Sequence, residues 1–270
     1  MTSDMTERQD NGPSVLITND DGIASEGLRL LAIAARQAGM RPVVAAPMTD
    51  TSGASASITS TETDGRLLFE TRELPGLEDC PTYAVAALPA YISLVGVRGA
   101  FGGPFDYVLS GINNGPNTGH AILHSGTVGA ALTAAGQGVT SLAVSLGVGP
   151  DRNFATAAAL AERVLPCLMS APKGTILNLN VPDLAPDDVR GVREASLASF
   201  GAVQTNILES GKGYVVTGFS EVDTSSEPDS DAALLAAGWA TLTALRPVCQ
   251  AGDVDLRSLV GDFLTGPIKA

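Results

Sequence analysis

The sequence predicts an α/β fold built on a mostly parallel sheet, and three observations carry this. Short apolar runs alternate with segments of helical period up to about Pro182. The first such unit reads strand–helix–strand, a crossover that implies parallel strands and a right-handed connection. Beyond Pro182 the regular alternation lapses, so the C-terminal part is organised differently. At 270 residues the chain suffices for one large domain or two smaller ones.

The elements follow in order. Residues 15–18, Val-Leu-Ile-Thr, form the first predicted strand. A helix is predicted at 25–38, with Ser25 placed to cap it and Gly39 to end it. Leu28, Leu31, Ala32 and Ala35 recur on one face of it. Residues 42–46 predict the next strand, closed by Pro47, and a Ser/Thr/Gly-rich loop covers 48–57. Strands are predicted at 67–71, 83–87 and 105–110, and a helix at 90–97. The last of these strands runs into a Gly/Asn/Pro loop at 111–119. A small-residue helix at 127–135, a strand at 141–146, a helix at 154–168 and a strand at 175–181 complete the alternation. Residues 189–196, 214–219 and 239–245 then read as strands, 221–231 as an acidic loop, 232–237 as a short helix and 257–264 as a closing helix. The expected organisation is a disordered tail over 1–13, an α/β catalytic core over 14–188, a β-rich oligomerisation extension over 189–250, and a segment over 251–270 that packs back on the core.

Composition narrows the function classes. Hydrophobic residues make up 44% and the mean hydropathy is +0.20, so a sizeable core forms without disulfides. No apolar run is long enough to span a bilayer; the most apolar candidate, 83–97, is broken by Pro89. The start, 1–12, is polar and has no apolar stretch of the signal-peptide kind. Three widely spaced cysteines, Cys80, Cys167 and Cys249, suggest neither a disulfide framework nor a zinc site, so a reducing cytoplasm is the expected compartment. A formal net charge of −13 argues against long nucleic acid as a partner. A small anionic substrate remains open, because a bound cation reverses the local field.

The chemistry concentrates at predicted strand ends. Asn19-Asp20-Asp21-Gly22 follows the first strand, so two adjacent carboxylates fall where a buried strand meets a loop. Ligands of open α/β sheets bind outside the carboxyl ends of the strands. Adjacent like charges there are costly without a cation or a proton. The loop bearing Ser52-Gly53 and the loop from Asn113 to Asn117 follow two other predicted parallel strands, on the same edge. Together these loops offer carboxylate, hydroxyl and amide oxygens, hard ligands suited to Mg²⁺, Mn²⁺ or Ca²⁺. Ser125-Gly126-Thr127-Val128-Gly129 opens a predicted helix, whose free N–H groups and dipole favour an anion. Taken singly, Asp-Asp-Gly and Ser-Gly read as turns, and the Asn/Gly loop as structural. The convergence on one edge points to a metal opposite a phosphate cradle. His120 and His124, the only histidines, are flanked by glycines and read as loop residues; His124 directly precedes the cradle, where a histidine can protonate a leaving oxygen. P-loop, dinucleotide-binding and nucleophile-elbow signatures are absent.

These residues resemble a known family. Residues 15–23 with Gly27-Leu28, then Ala46-Pro47 and Ser52-Gly53, are similar to the stationary-phase survival protein SurE family. So are Leu109-Ser110-Gly111-Ile112-Asn113, Gly115-Pro116-Asn117-Thr118-Gly119 and Ser125-Gly126-Thr127-Val128. Ala143 to Leu146, Asn178-Leu179-Asn180-Val181-Pro182, Asp229-Ser230-Asp231 and Gly238-Trp239 extend the likeness over roughly 14–248. The resemblance implies a Rossmann-like three-layer core whose β-rich C-terminal extension exchanges between subunits, in a homodimer or homotetramer. It implies a metal-dependent phosphatase acting on nucleoside 5′-monophosphates, with 3′-monophosphates and short polyphosphate as further substrates. By motif, one divalent ion per subunit would be held by Asp20, Asp21, Ser52 and Asn113, and Asn117, Ser125, Gly126 and Thr127 would line the phosphate pocket. Asn113 also faces substrate in this reading, and Asp20, Asp21 and Asn117 carry the catalysis. Asp20 or Asp21 would orient or deprotonate the attacking water, or attack directly.

The chain departs from the family where acidic residues usually follow the glycine matching Gly119 and a tyrosine precedes Ser-Gly-Thr. His120, Ala121 and His124 stand there. The family's Gly-Thr-Pro-x-Asp-Cys-Val segment appears as residues 87–93, with Tyr91 inside it. These departures leave two alternatives beside the nucleotidase: the same metal site acting on a non-nucleotide phosphorylated metabolite, and a non-catalytic nucleotide binder.

Overall fold

Alternating apolar residues decide which way each strand faces. The computed structural model describes residues 12–200, 203–221, 226–251, 253–255 and 258. Strand β1 (Ser14–Thr18) sends Val15 and Ile17 into one core and Leu16 into another, all fully buried, as a side-chain period of two requires. Helix α1 (Glu26–Gln37) buries Leu28, Leu31, Ala32 and Ala35, the face its spacing predicted. Ser25 takes the N-cap position, yet its side chain makes no capping hydrogen bond.

The chain continues through β2 (Arg41–Pro47), the two-residue strands β3 (Glu62–Thr63) and β4 (Arg66–Leu67), β5 (Phe69–Thr71) and β6 (Thr82–Val85). Helix α2 (Pro89–Val97), β7 (Tyr107–Asn114), α3 (Gly126–Gly136), β8 (Thr140–Leu146), α4 (Phe154–Ser170) and β9 (Ile176–Val181) complete the regular part. Then come β10 (Val192–Glu194), β11 (Val203–Gly211), β12 (Tyr214–Glu221), α5 (Asp231–Ala236) and β13 (Ala240–Leu245).

Nine strands form one sheet in the order β10-β13-β9-β8-β7-β1-β2-β6-β5. From β9 to β6 all neighbours are parallel. The antiparallel pairings are β13 on β9 and β5 on β6. Every residue of β8 and β9 is buried, which fits central parallel strands covered on both faces. Residues of α1 and α4 pack with Val15 and Ile17 on one face, and Ile92 of α2 and Ala134 of α3 with Leu16 on the other. The result is the three-layer α/β arrangement the sequence predicted.

Several elements differ from expectation. The strand predicted at 67–71 is interrupted at Leu68 into β4 and β5. The strand predicted to stop at Ser110 runs on to Asn114: after a register shift its pairing with β8 resumes at Asn113 and Asn114, despite their loop-like composition. Strand β11 had no counterpart in the sequence reading, because its polar residues lack an apolar period. Strands β10 and β13 and helix α5 join the main body, so within 189–250 only β11 and β12 stand apart, pairing with each other. That hairpin leaves Ile207, Leu208, Tyr214, Val215 and Val216 exposed. The expected closing helix at 257–264, most of the 251–270 segment and residues 1–11 of the tail lie outside the described residues. No helix among the described residues is long and apolar enough to cross a membrane.

Candidate active site

Strand β1 ends fully buried at Thr18, and the chain emerges through Asn19 to Asp20 and Asp21. This is the point where neighbouring strands diverge: β7 and β8 lie to one side of β1, β2 and β6 to the other. Open α/β folds bind ligands at such a switch point.

Asp20 is 4% exposed, and its carboxylate faces the start of α3. The Thr127 hydroxyl donates to its Oδ1. Gly126 is required here, since a Cβ would sit 2.8 Å from the Asp20 side chain. Burial pushes the Asp20 carboxyl above its usual range, opposed by hydrogen bonds from the Thr127 hydroxyl and nearby backbone. Asp21 is pushed up to about 6, first by burial and then by the charges of Asp20 and Asp50. Asn114 N donates to Asp21 Oδ2 at 3.2 Å, which joins the tips of β1 and β7. The backbone oxygen of Asp20 accepts from Thr51 N at 2.7 Å and Thr51 Oγ1 at 3.1 Å, which ties in the loop after β2.

The residues expected to act together are therefore anchored on one edge, though not all in the expected pose. Ser52 follows Thr51, is exposed, and donates its hydroxyl to Asp50 at 2.6 Å. Asn113 Nδ2 donates to Gly115 O at 2.7 Å, so its amide nitrogen is turned to its own loop. The Ser125 hydroxyl accepts from Val128 N at 3.0 Å and caps α3. Thr127 is fully buried and committed to Asp20, so it orients a carboxylate. His120 and His124 lie in a 3₁₀ turn (Gly119–His124), where the sequence suggested a loop, and both are exposed. Three residues per turn put i and i+4 on different faces, so the two imidazoles do not form a pair. Among the described residues no three His, Cys, Asp or Glu side chains are grouped to hold a metal.

Sequence reasoning gave no role to the residues that hold Asn117. Asn117 N donates to Asn180 Oδ1 at 2.7 Å, and its backbone oxygen accepts from Asn178 Nδ2 and Asn180 Nδ2, both at 2.9 Å. Its side-chain nitrogen donates to Ser145 Oγ at 2.8 Å. Two residues on, Gly119 N donates to the buried carboxylate of Asp231, at 2.9 Å to Oδ2. Asp231 also accepts from Ala198 N at 3.0 Å and Ala232 N at 2.8 Å. Gly119 has φ +56, and a Cβ there would meet Phe200 O at 2.0 Å. The signal was present as four polar residues in strands and at a helix start: Ser145, Asn178, Asn180 and Asp231. Buried polar groups of this kind need partners.

Comparisons with known proteins identify the family and the fold. The family model described as "Survival protein SurE" matches residues 15–203. The "5'-nucleotidase SurE" of Xanthomonas axonopodis pv. citri is 39% identical over 68% of this chain and 70% of its own. The "5'/3'-nucleotidase SurE" of Serratia proteamaculans is 33% identical over 86% of this chain and 89% of its own. The crystal structure of the SurE protein from Aquifex aeolicus superimposes with a TM-score of 0.75 at 27% identity, covering 93% of this chain and 99% of that one. With the family match spanning β1 to the start of β11, and the acidic strand tip inside it, this chain belongs to the SurE family.

Proposed function

We propose that this chain is a divalent-metal-dependent phosphomonoesterase that releases phosphate from nucleoside 5′-monophosphates, with 3′-monophosphates and short polyphosphate as further substrates. One observation carries the reading: Asp20 and Asp21 sit side by side at the tip of β1, bonded to the loops after β2 and β7 and to the start of α3. The names of the relatives, 5′-nucleotidase and 5′/3′-nucleotidase, support the substrate class.

The residues fit a hard cation. Two adjacent carboxylates, both with raised proton affinity, share a tip whose backbone is fixed by Thr51 and Asn114. The Asn19 Oδ1 atom beside them is buried without a hydrogen-bond partner. Asp20, Asp21, Asn113 and Ser52 would hold Mg²⁺ or Mn²⁺, with Ca²⁺ as a fitting substitute. Bound there, the ion supplies charge neutralisation at a phosphoryl oxygen and lowers the pKa of a water. Asp20 is oriented by Thr127, and Asp21 by Asn114. One of the two aligns or deprotonates the attacking water. Asn117 has its second Nδ2–H left to donate to the phosphate once Ser145 takes the first, and its main chain is fixed from β9. His124 ends the 3₁₀ turn next to Ser125 in sequence, and in this reading it would protonate the leaving oxygen.

The proposal extends to a homodimer or homotetramer assembled through the exposed β11–β12 hairpin, and to a reducing cytoplasm, in keeping with three unpaired cysteines. The test is phosphate release from a panel of nucleoside monophosphates and other phosphate esters under Mg²⁺ or Mn²⁺ titration, with native chain and Asp21→Asn side by side. Metal-dependent turnover by the native chain and its loss in the variant are expected. Full activity in Asp21→Asn, or none in the native chain, would sink the proposal.

A further inference from the structure

Beside the acidic tip, a groove of about 470 Å³ opens outside the ends of β2 and β6. Pro47, Met48, Val85 and Leu88 give it an apolar lining, and Thr49 and Thr61 stand along it. Backbone bonds fix both walls. On one, Ser60 bridges antiparallel to Ala87, Thr61 N donates to Ala86 O at 2.8 Å, and Leu88 N to Thr59 O at 3.0 Å. On the other, Met48 N donates to Val85 O at 3.1 Å. The groove is thus formed before any ligand arrives, which lowers the cost of binding.

Its position relative to the acidic pair is fixed by Thr51. This residue lines the groove, bonds the Asp20 backbone oxygen through both N and Oγ1, and precedes Ser52. In the sheet β2 is next to β1, and β6 is next to β2. Strand spacing puts the groove about 5 to 10 Å to the side of the β1 tip. A ribose separates a 5′-phosphate from its base on that scale.

We infer that this groove receives the nucleobase of a nucleoside monophosphate, beyond the ribose, and selects the substrate there. The inference rests on the phosphomonoesterase reading and adds where discrimination is made. A sugar or glycerol moiety would leave its hydroxyls against Pro47, Met48, Val85 and Leu88, with lost water contacts unreplaced. A flat heterocycle buries its faces on the same side chains and keeps its edge for the threonine hydroxyls.

The test narrows the groove from an exposed position. Thr61 is exposed and none of the site residues above depends on it, so Thr61→Trp fills the groove at little cost to folding. Hydrolysis of adenosine 5′-monophosphate and of glycerol 1-phosphate is compared in the native chain, in Thr61→Trp and in Met48→Asn. In both variants kcat/KM for the nucleotide is expected to fall at least about tenfold, mainly through KM, with glycerol phosphate unchanged. Adenosine without phosphate should inhibit glycerol phosphate hydrolysis by the native chain, and inhibition should disappear in Thr61→Trp. Equal losses on both esters, or no loss on either, overturn the groove assignment while the phosphatase reading stands. Failure of the native chain to hydrolyse either ester overturns that reading, and this inference with it.

Discussion

The Thr127 hydroxyl donates to the Asp20 carboxylate across 107 residues of sequence, and both side chains are buried. The contact joins the first turn of α3 to the tip of β1, so the orientation of the leading carboxylate depends on a helix that starts in a distant segment. Thr127→Val keeps the shape and removes the donor. A buried carboxylate that loses a hydrogen bond costs about 1–3 kcal/mol. Denaturant unfolding should show that loss, and kcat should drop with it, whereas Thr127→Ser should restore most of both.

The pH response of the metal-free protein follows from Asp21. Its carboxyl is pushed from 3.8 up to about 6 by burial and then by Asp20 and Asp50. The folded chain therefore holds this proton more tightly than the unfolded chain. Stability from this group is fully present below about pH 4, declines as pH rises through 6, and stays lower above. Asp21→Asn removes the penalty, so the metal-free variant should be more stable than native at pH 7.5, by about 1–2 kcal/mol once partial exposure is allowed for. At pH 4 the two should melt together. A variant less stable than native at pH 7.5 would contradict this account.

Adding Mg²⁺ or Mn²⁺ should act in the opposite direction. An ion bound to the folded chain alone adds about 2.7 kcal/mol at one hundred times its Kd. Protons compete for Asp20 and Asp21, so the gain in melting temperature should be larger at pH 7.5 than at pH 5. Chelation with EDTA should reverse it, and Asp21→Asn should abolish it. An equal shift in native and variant chains would place the ion elsewhere.

Asn180 makes two bonds to the backbone of Asn117, as acceptor at 2.7 Å and donor at 2.9 Å. Asn180→Ala leaves Asn117 N to find another partner, at a cost of about 1–3 kcal/mol if it does not, and leaves Asn117 O with Asn178 alone. Turnover should fall about tenfold or more, because Asn117 loses its fixed position. Metal affinity, read by calorimetry, should stay close to native, since no expected metal ligand bonds to Asn180. A parallel loss of metal binding would show that the two halves of the site are not separable.

Asp231 accepts backbone N–H groups from three segments, at Gly119, Ala198 and Ala232. Burial raises its carboxyl pKa, and those three donors pull it back. In Asp231→Asn an amide donor faces backbone donors, which removes one acceptor and adds a repulsion of about 1–3 kcal/mol. Lower thermal stability and faster amide exchange at Gly119 are expected. Unchanged protection at Gly119 would rule out the tether.

The core of the fold was open to sequence reading because its cause is local. Val15, Leu16 and Ile17 alternate between two buried faces, and Leu28, Leu31 and Ala35 repeat at helical spacing. The acidic pair was equally plain, since strand ends and ligand sites coincide in this fold class. What stayed hidden depends on partners distant in sequence. The Asn113-Asn114 stretch looks like loop, and pairing with Ser145 and Leu146 makes it strand. Val203 to Gly211 gains its extended form from β12, not from an apolar period. No spacing rule links Asn117 to Asn180, or Gly119 to Asp231, although these bonds fix the loop. The pose of Ser52, turned to Asp50, was likewise invisible.

The fixed points around the 3₁₀ turn separate what has to stay from what is free to drift. Asn117 is pinned before it, Gly119 at its first residue, and the Ser125 cap closes it. Between them His120, Ala121, Leu123 and His124 are exposed to solvent. Substitutions at these exposed positions alter the surface of the turn without displacing the pinned backbone on either side. The turn is thus a span of exposed side chains between fixed ends, where sequence change costs the fold little.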